Sequence, residues 1–181
     1  MSNFEIIELL NWAYELIGVK YAWVCDSEYT IINHIPMYGL FNDLPDINFI
    51  KSKGCNCVGL INLLRLKNNK NIPGCYNKKI IQHKYVGSLG VWINELVKIN
   101  NLIKYNKNLP YEIGTLLIKA SNINSFGHMA IVIGHNKILH SYTNSSVPNN
   151  TFADPGICIT DINDIKFEFS CHPSIWLYYD F

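Results

Sequence analysis

The spacing of apolar residues changes its period at Pro110, and that change limits the folds open to this chain. Before it, apolar side chains recur at helical intervals. After it, short β-branched or alternating segments are separated by Gly, Asn and Pro. Helical runs followed by strand runs predict an α+β fold, with helices packed on a central antiparallel sheet. A length of 181 residues suits one domain, and 49% hydrophobic residues supply a core for it. We therefore expect a single domain over 1–181.

In residues 3–17, Phe4, Ile7, Leu10 and Ile17 define the apolar stripe of a helix that breaks at Gly18. Residues 19–24 read as a short extended piece. Residues 25–55, broken by Pro36, Gly39, Pro45 and Gly54, read as loop with one short element around 28–33. The run 57–66 predicts a helix with Asn56 as N-cap. Residues 75–85 have no clear period, and 88–104 predict a second long helix opened by Ser88. Strands are expected at 113–119, 128–133, 137–142, 156–160 and 166–170. The apolar end, 176–181, is expected to be tied to the sheet.

Charge removes some function classes. Lys+Arg number 15 against Asp+Glu 14, for a net charge of +1, and Arg65 is the only Arg. No basic block marks a nucleic-acid surface. The N-terminus has no basic start followed by an apolar core, so no secretory signal is read there. No stretch approaches the ~20 apolar residues of a membrane span. A cytoplasmic place of synthesis is expected; a mature form, a virion component or an exported or injected effector would read the same way. We expect a monomer or weak oligomer. The six cysteines are expected to be reduced thiols. Cys55-x-Cys57 with Cys75 and His83 is the one arrangement that suggests zinc. Its single intervening residue is tighter than the two to four usual in structural sites, so no metal is expected.

Cys57 opens the predicted helix, where the positive end of the helix and a neighbouring imidazolium would pull a thiol from ~8.5 to below neutrality. Cys55, in the preceding loop, lacks that placement. Burial as a small apolar residue is the competing fate for Cys57. His128 opens an alternating strand and His140 lies on the next. A three-residue turn at Gly134-His135-Asn136 would place both imidazoles on one face, as diagonal neighbours within side-chain reach. A plain two-residue turn at His135-Asn136 would put them on opposite faces. A shared face therefore requires an odd loop or a bulge at Gly134. Nucleophilic catalysis uses these groups: a thiol, a base beside it, and a third group holding the base. His135 is expected in solvent, with His34, His83 and His172 structural.

These residues resemble the NlpC/P60 family of papain-like cysteine peptidases. The family's Asp-Cys-Ser-Gly-Leu corresponds to Asn56-Cys57-Val58-Gly59-Leu60. Its Gly-His-Val-Gly-Ile-Tyr-Leu-Gly corresponds to Gly127 through Gly134, and its Ile-His-Ala-Ser context to Ile138-Leu139-His140-Ser141. Gly18-Val19-Lys20-Tyr21-Ala22-Trp23 looks like Gly-x-Pro-Tyr-x-Trp-Gly-Gly without the final glycines. Pro110 through Leu117 resembles the Leu-x-Pro-Gly-Asp-Leu strand entry, and Gly156-Ile157-Cys158-Ile159 the late Gly-Val-x-Ile strand. The segments near 25–55 and 66–110 would be insertions bordering the cleft.

The resemblance implies a papain-like fold and hydrolysis of amide bonds in bacterial cell-wall peptides. Cys57 would be the nucleophile, His128 the base and His140 its orienting partner. Tyr21 would line the site and help hold the oxyanion, with no cofactor. The expected partner is a peptide or peptidoglycan fragment. Acyl transfer, amidase action on protein or lipid, or a catalytically lapsed binding domain are the alternatives.

Overall fold

The computed structural model describes residues 3–23, 37–41, 43–75, 86–122, 126–143 and 155–181. The element expected around 28–33, most of 75–85, and Cys25, His34 and His83 lie outside these residues.

Helix α1 (Asn3–Tyr14) buries Ile6, Leu9, Leu10 and Ala13, and the turn after it buries Leu16. Ile7 and Ile17 are 47% and 46% exposed, so the stripe sits one residue away from the expected one. A stripe through Ile7 would bring exposed Asn11 into the core; the stripe through Ile6 brings small Ala13 instead. Within the stretch read as loop, Ile47–Lys53 forms helix α2. Asp46 caps it by accepting from the Asn48 N–H, and Gly54 ends it. Those end signals outweighed the weak apolar content of so short a helix.

Helix α3 (Cys57–Lys67) matches the expected run, and ten of its eleven residues are buried. Asn56 caps it, its side chain accepting from the Gly59 N–H at 2.7 Å. Helix α4 (Leu89–Lys98) begins after the Ser88 cap but stops well short of 104. Asn100 turns the chain with φ 54°, and Ile103–Lys104 becomes strand β1. Asn62 of α3 joins these parts: its amide donates to the Met37 and Gly87 carbonyls and accepts from Trp92 Nε1–H.

The remaining strands are β2 (Leu116–Lys119), β3 (His128–Gly134), β4 (Lys137–Thr143), β5 (Pro155–Asp161) and β6 (Phe169–Cys171), followed by a short helix α5 (Pro173–Trp176). They form an antiparallel sheet of six described strands in the order β1-β6-β2-β3-β4-β5. The architecture is α+β, as expected. The strands at 113 and 166 start later than expected, because Gly114 takes φ +90° and residues before 169 run as irregular chain.

Each sheet face carries its own core, as the two-residue period requires. On one face, Leu116, Ile118, Met129, Ile131, Leu139 and Ile157 pack with α1 and α3. On the other, Leu117, Ala130, Val132 and Ile138 pack with Ile162 and Phe167. The apolar end of the chain is held mainly through α3. Fully buried Arg65 donates to the carbonyls of Asn71, Trp176 and Tyr179, and its guanidinium lies 4.8 Å from the Phe181 ring centre. Trp176 Nε1–H also donates to the Gly114 carbonyl, just before β2. No helix among the described residues is long and apolar enough to cross a membrane.

Candidate active site

Cys57 stands at the first position of α3, and neighbouring segments fix that end of the helix. Tyr21 and Cys55 form a parallel bridge, with the Cys55 N–H donating to the Lys20 carbonyl. Ser141 Oγ of β4 donates to the Cys55 carbonyl at 2.7 Å. The Cys57 side chain is 6% exposed and belongs to the core on the α3 side of the sheet. The backbone N–H groups of Met129, Val58 and Cys57 itself favour its ionised form.

The Met129 amide is available for a reason visible in the register. Val132 N–H donates to Thr115 beside β2, so alternate amides of β3, including that of Met129, point toward β4. The β3–β4 ladder runs only to Ile131↔Leu139. Beyond that pair the ladder ends, and the Met129 N–H acts on the Cys57 thiol. The sulfur therefore adjoins β3 one residue past His128.

The hairpin brings the two histidines together by a different route from the expected three-residue turn. The turn has two residues, His135 and Asn136, both with positive φ (45° and 59°), which suits the twist of a tight hairpin. The register then slips between Val132 and Gly134, leaving Ile133 as an extra residue. That bulge restores the parity the sequence argument required. His128 Nε2 lies 2.7 Å from His140 Nδ1, with the rings edge to face. His135 is exposed, as expected, and His172 caps α5 and pairs with Glu112.

The polar chain continues past His140. Its Nε2 lies 3.1 Å from Thr160 Oγ1 and 3.7 Å from Cys158 Sγ, both on β5. Thr160 Oγ1 in turn lies 3.5 Å from the Asp161 carbonyl, to which only its O–H can donate. A consistent set of donors follows: Thr160 O–H to Asp161, His140 Nε2–H to Thr160, His128 Nε2–H to His140 Nδ1. This arrangement leaves His128 Nδ1 with a free lone pair. Sequence reading missed Thr160 and Cys158. The signal for them was the β5 alternation, since His140 pairs with Cys158 and Thr160 shares that face.

Electrostatics correct one expectation. Burial pushes the Cys57 thiol up, against the pull of its three N–H partners. Burial also holds both His128 and His140 well below the usual imidazole range, with His140 and Lys119 adding to the effect at His128. Cys57 rests as a neutral thiol and both histidines as neutral imidazoles, in place of the thiolate expected from the helix end. Desolvation outweighs the helix dipole because α3 begins inside the core.

Tyr21 and His128 line a cleft of about 280 Å³, with Trp23, Lys119, Phe126, Tyr142, Asp164, Ile165 and Lys166 among its other walls. Cys57 is not part of that lining. Burial, then Cys57 and Cys55, keep the Tyr21 hydroxyl protonated and therefore a hydrogen-bond donor. Among the described residues no three His, Cys, Asp or Glu side chains gather as a metal site. Cys75 sits in a separate small cluster with Leu66, Ile72 and Val86, away from Cys55 and Cys57.

No family model matches the sequence, and no curated protein matches it. Among solved structures, the chain is similar to the crystal structure of the NlpC/p60 domain of peptidoglycan hydrolase SagA. The TM-score is 0.46 at 16% identity, covering 92% of this chain and 97% of that one.

Proposed function

We propose that this chain is a single-domain cysteine hydrolase that cleaves an amide bond, with peptides of the cell-wall type as its substrate class. The observation that carries the reading is the histidine pair at 2.7 Å, next in sequence to Met129, whose N–H favours the ionised form of Cys57. Support for the substrate class comes from the motif resemblance at Cys57, His128 and His140.

In this reading Cys57 attacks the amide carbonyl as His128 Nδ1 takes its proton. The S–C bond forms, and the carbonyl electrons move to oxygen. The Cys57 N–H and the Tyr21 hydroxyl are the donors for that oxyanion, a contribution of about 3 kcal/mol per donor in comparable sites. His128 then returns the proton to the leaving amine, and water releases the acyl group by the reverse sequence. His140, fixed by Thr160, keeps His128 in the tautomer that accepts at Nδ1. Because the resting groups are neutral, the proton moves during attack rather than before it.

Burial of Cys57 favours a second reading, a binding domain of the same fold that has lost turnover. Incubating wild type and Cys57→Ala with peptidoglycan fragments and mapping products by mass separates the two. The hydrolase reading expects new termini with wild type and none with the variant, whose circular dichroism is unchanged. Equal hydrolysis by the variant removes Cys57 from the mechanism. Adding an amine acceptor distinguishes hydrolysis from acyl transfer.

A further inference from the structure

A serine, a histidine and a glutamate form a second hydrogen-bonded chain outside the cleft. Ser174 Oγ lies 2.7 Å from His172 Nδ1, and His172 Nε2 meets Glu112 Oε1. The Ser174 N–H donates to Nδ1 at 3.1 Å, so that nitrogen is an acceptor and the ring proton sits on Nε2, against the carboxylate. The Ser174 hydroxyl then donates to Nδ1. Two contacts hold the segments that carry these groups in register. Leu116 of β2 pairs with Cys171 of β6, and Trp176 Nε1–H donates to the Gly114 carbonyl at 2.8 Å. His172 and Ser174 lie between Cys171 and Trp176, and Glu112 lies just before Gly114. Glu112 also lines a cavity of about 220 Å³ whose other walls are Ile6, Ile7 and Ile113. Pro173 borders the same ground: a Cβ on Gly114 would lie 3.1 Å from the Ile6 side chain and 3.3 Å from that of Pro173. Glu112 and His172 are exposed and Ser174 is partly so, which leaves the chain open to a solute.

We propose that Ser174 is a second nucleophile, with His172 as its base and Glu112 as the positioning residue, and that the site cleaves esters of short aliphatic acids whose acyl chain enters the isoleucine-lined cavity. Ser174 Oγ attacks the ester carbonyl while its proton passes to His172 Nδ1. The O–C bond forms, and the carbonyl electrons move to oxygen. Their return expels the alcohol oxygen, which takes the proton from Nδ1. Water then repeats the sequence on the acyl-serine and releases the acid. Glu112 accepts from Nε2–H and stabilises the imidazolium. Protonation of Nδ1 frees the Ser174 N–H, which becomes a donor to the oxyanion as it forms. One such donor suits an ester, whose alkoxide leaves more readily than an amine, so amides are poor substrates here. The apolar walls disfavour a charged acyl chain. The inference stands apart from the hydrolase reading, since it uses neither Cys57 nor His128.

The test uses the full chain carrying Cys57→Ala, so that this thiol takes up no acyl group. Diisopropyl fluorophosphate is the covalent probe, its adduct located by peptide mapping; p-nitrophenyl butyrate and p-nitrophenyl acetate are the ester probes. The site predicts a diisopropylphosphoryl adduct on Ser174. The adduct should be lost in His172→Asn, which keeps a capping side chain for α5 but no base. Butyrate hydrolysis should fall roughly tenfold or more in Ser174→Ala and in His172→Asn, with circular dichroism unchanged. Glu112→Gln should lower kcat at unchanged KM and move the ring-nitrogen chemical shifts of His172, because the carboxylate no longer holds the Nε2–H. Ile7→Glu should lower the butyrate rate more than the acetate rate. An adduct absent from Ser174, an adduct undiminished in His172→Asn, or ester turnover undiminished in Ser174→Ala overturns the proposal. Unmoved His172 shifts overturn the role of Glu112, and an unchanged butyrate-to-acetate ratio in Ile7→Glu overturns the cavity as the acyl site.

Discussion

Replacing Arg65 by Lys should damage this protein more than replacing it by Met. Arg65 is fully buried, and burial pushes its guanidinium down to about 9, with Asp180 pulling it back up. Keeping the charge inside therefore costs on the order of 4–5 kcal/mol, which the surrounding acceptors must offset. Its planar fork reaches three carbonyls: Asn71, Trp176 at 2.7 Å and Tyr179 at 2.9 Å. It also stacks on Phe181. A lysine keeps a charge, and a more strongly hydrated one, but its single nitrogen on a shorter reach serves one of these carbonyls. Two carbonyls are then left unpaired, at about 1–3 kcal/mol each, for a loss of about 4 kcal/mol with the stacking included. Methionine leaves three carbonyls unpaired but removes the buried charge, so its net loss is about 2 kcal/mol. Urea denaturation at pH 7 reads both losses as shifts in midpoint at constant slope. A lysine variant within 1 kcal/mol of wild type, or one clearly more stable than the methionine variant, refutes this account of Arg65. Because α3 carries Cys57 at its other end, the lysine variant should also slow any reaction at that thiol.

Thr160→Val should slow reaction at Cys57 by roughly fivefold, the worth of one hydrogen bond to His140 Nε2–H. Thr160→Ser should restore it, and the ring-nitrogen chemical shifts of His140 should move only in the valine variant; unchanged shifts would mean that Thr160 does not hold the tautomer. The two buried histidines should also make stability fall with acid. An unfolded imidazole protonates near ~6.5, whereas both folded values lie well below that. Between those limits the unfolded chain binds the extra protons, so each histidine removes about 1.4 kcal/mol per pH unit as pH drops. Urea midpoints that stay flat from pH 7 to 5 contradict the neutral buried pair.

The strand half of this fold was legible because its period is two and its breaks are Gly, Asn and Pro. The α3 segment was legible because Asn56 and a ten-residue apolar run agree on where a helix starts. Other features depend on tertiary contacts that no local window holds. The α1 stripe was misplaced because Ile6 and Ile7 are equally apolar, and the choice turns on whether Asn11 or Ala13 enters the core. Helix α2 was missed because its caps, Asp46 and Gly54, flank too few apolar residues to show a period. Parity on the hairpin limited the histidine pair to an odd loop or a bulge. The choice of bulge came from the tight His135-Asn136 turn, which the sequence left open. The thiol's state was misread because the helix dipole is a local property, while desolvation at Cys57 comes from the core around it.

The central claim is that His128 takes the proton of Cys57 during attack, and the rate of Cys57 alkylation by iodoacetamide across pH measures it most directly. With burial raising the thiol, the wild-type rate should climb from neutral pH beyond the usual thiol range, without the flat acidic plateau of a preformed thiolate–imidazolium pair. At pH 7, His128→Gln should fall about tenfold or more below wild type, as expected for loss of a positioned base. Superimposable profiles for wild type and His128→Gln would contradict the account.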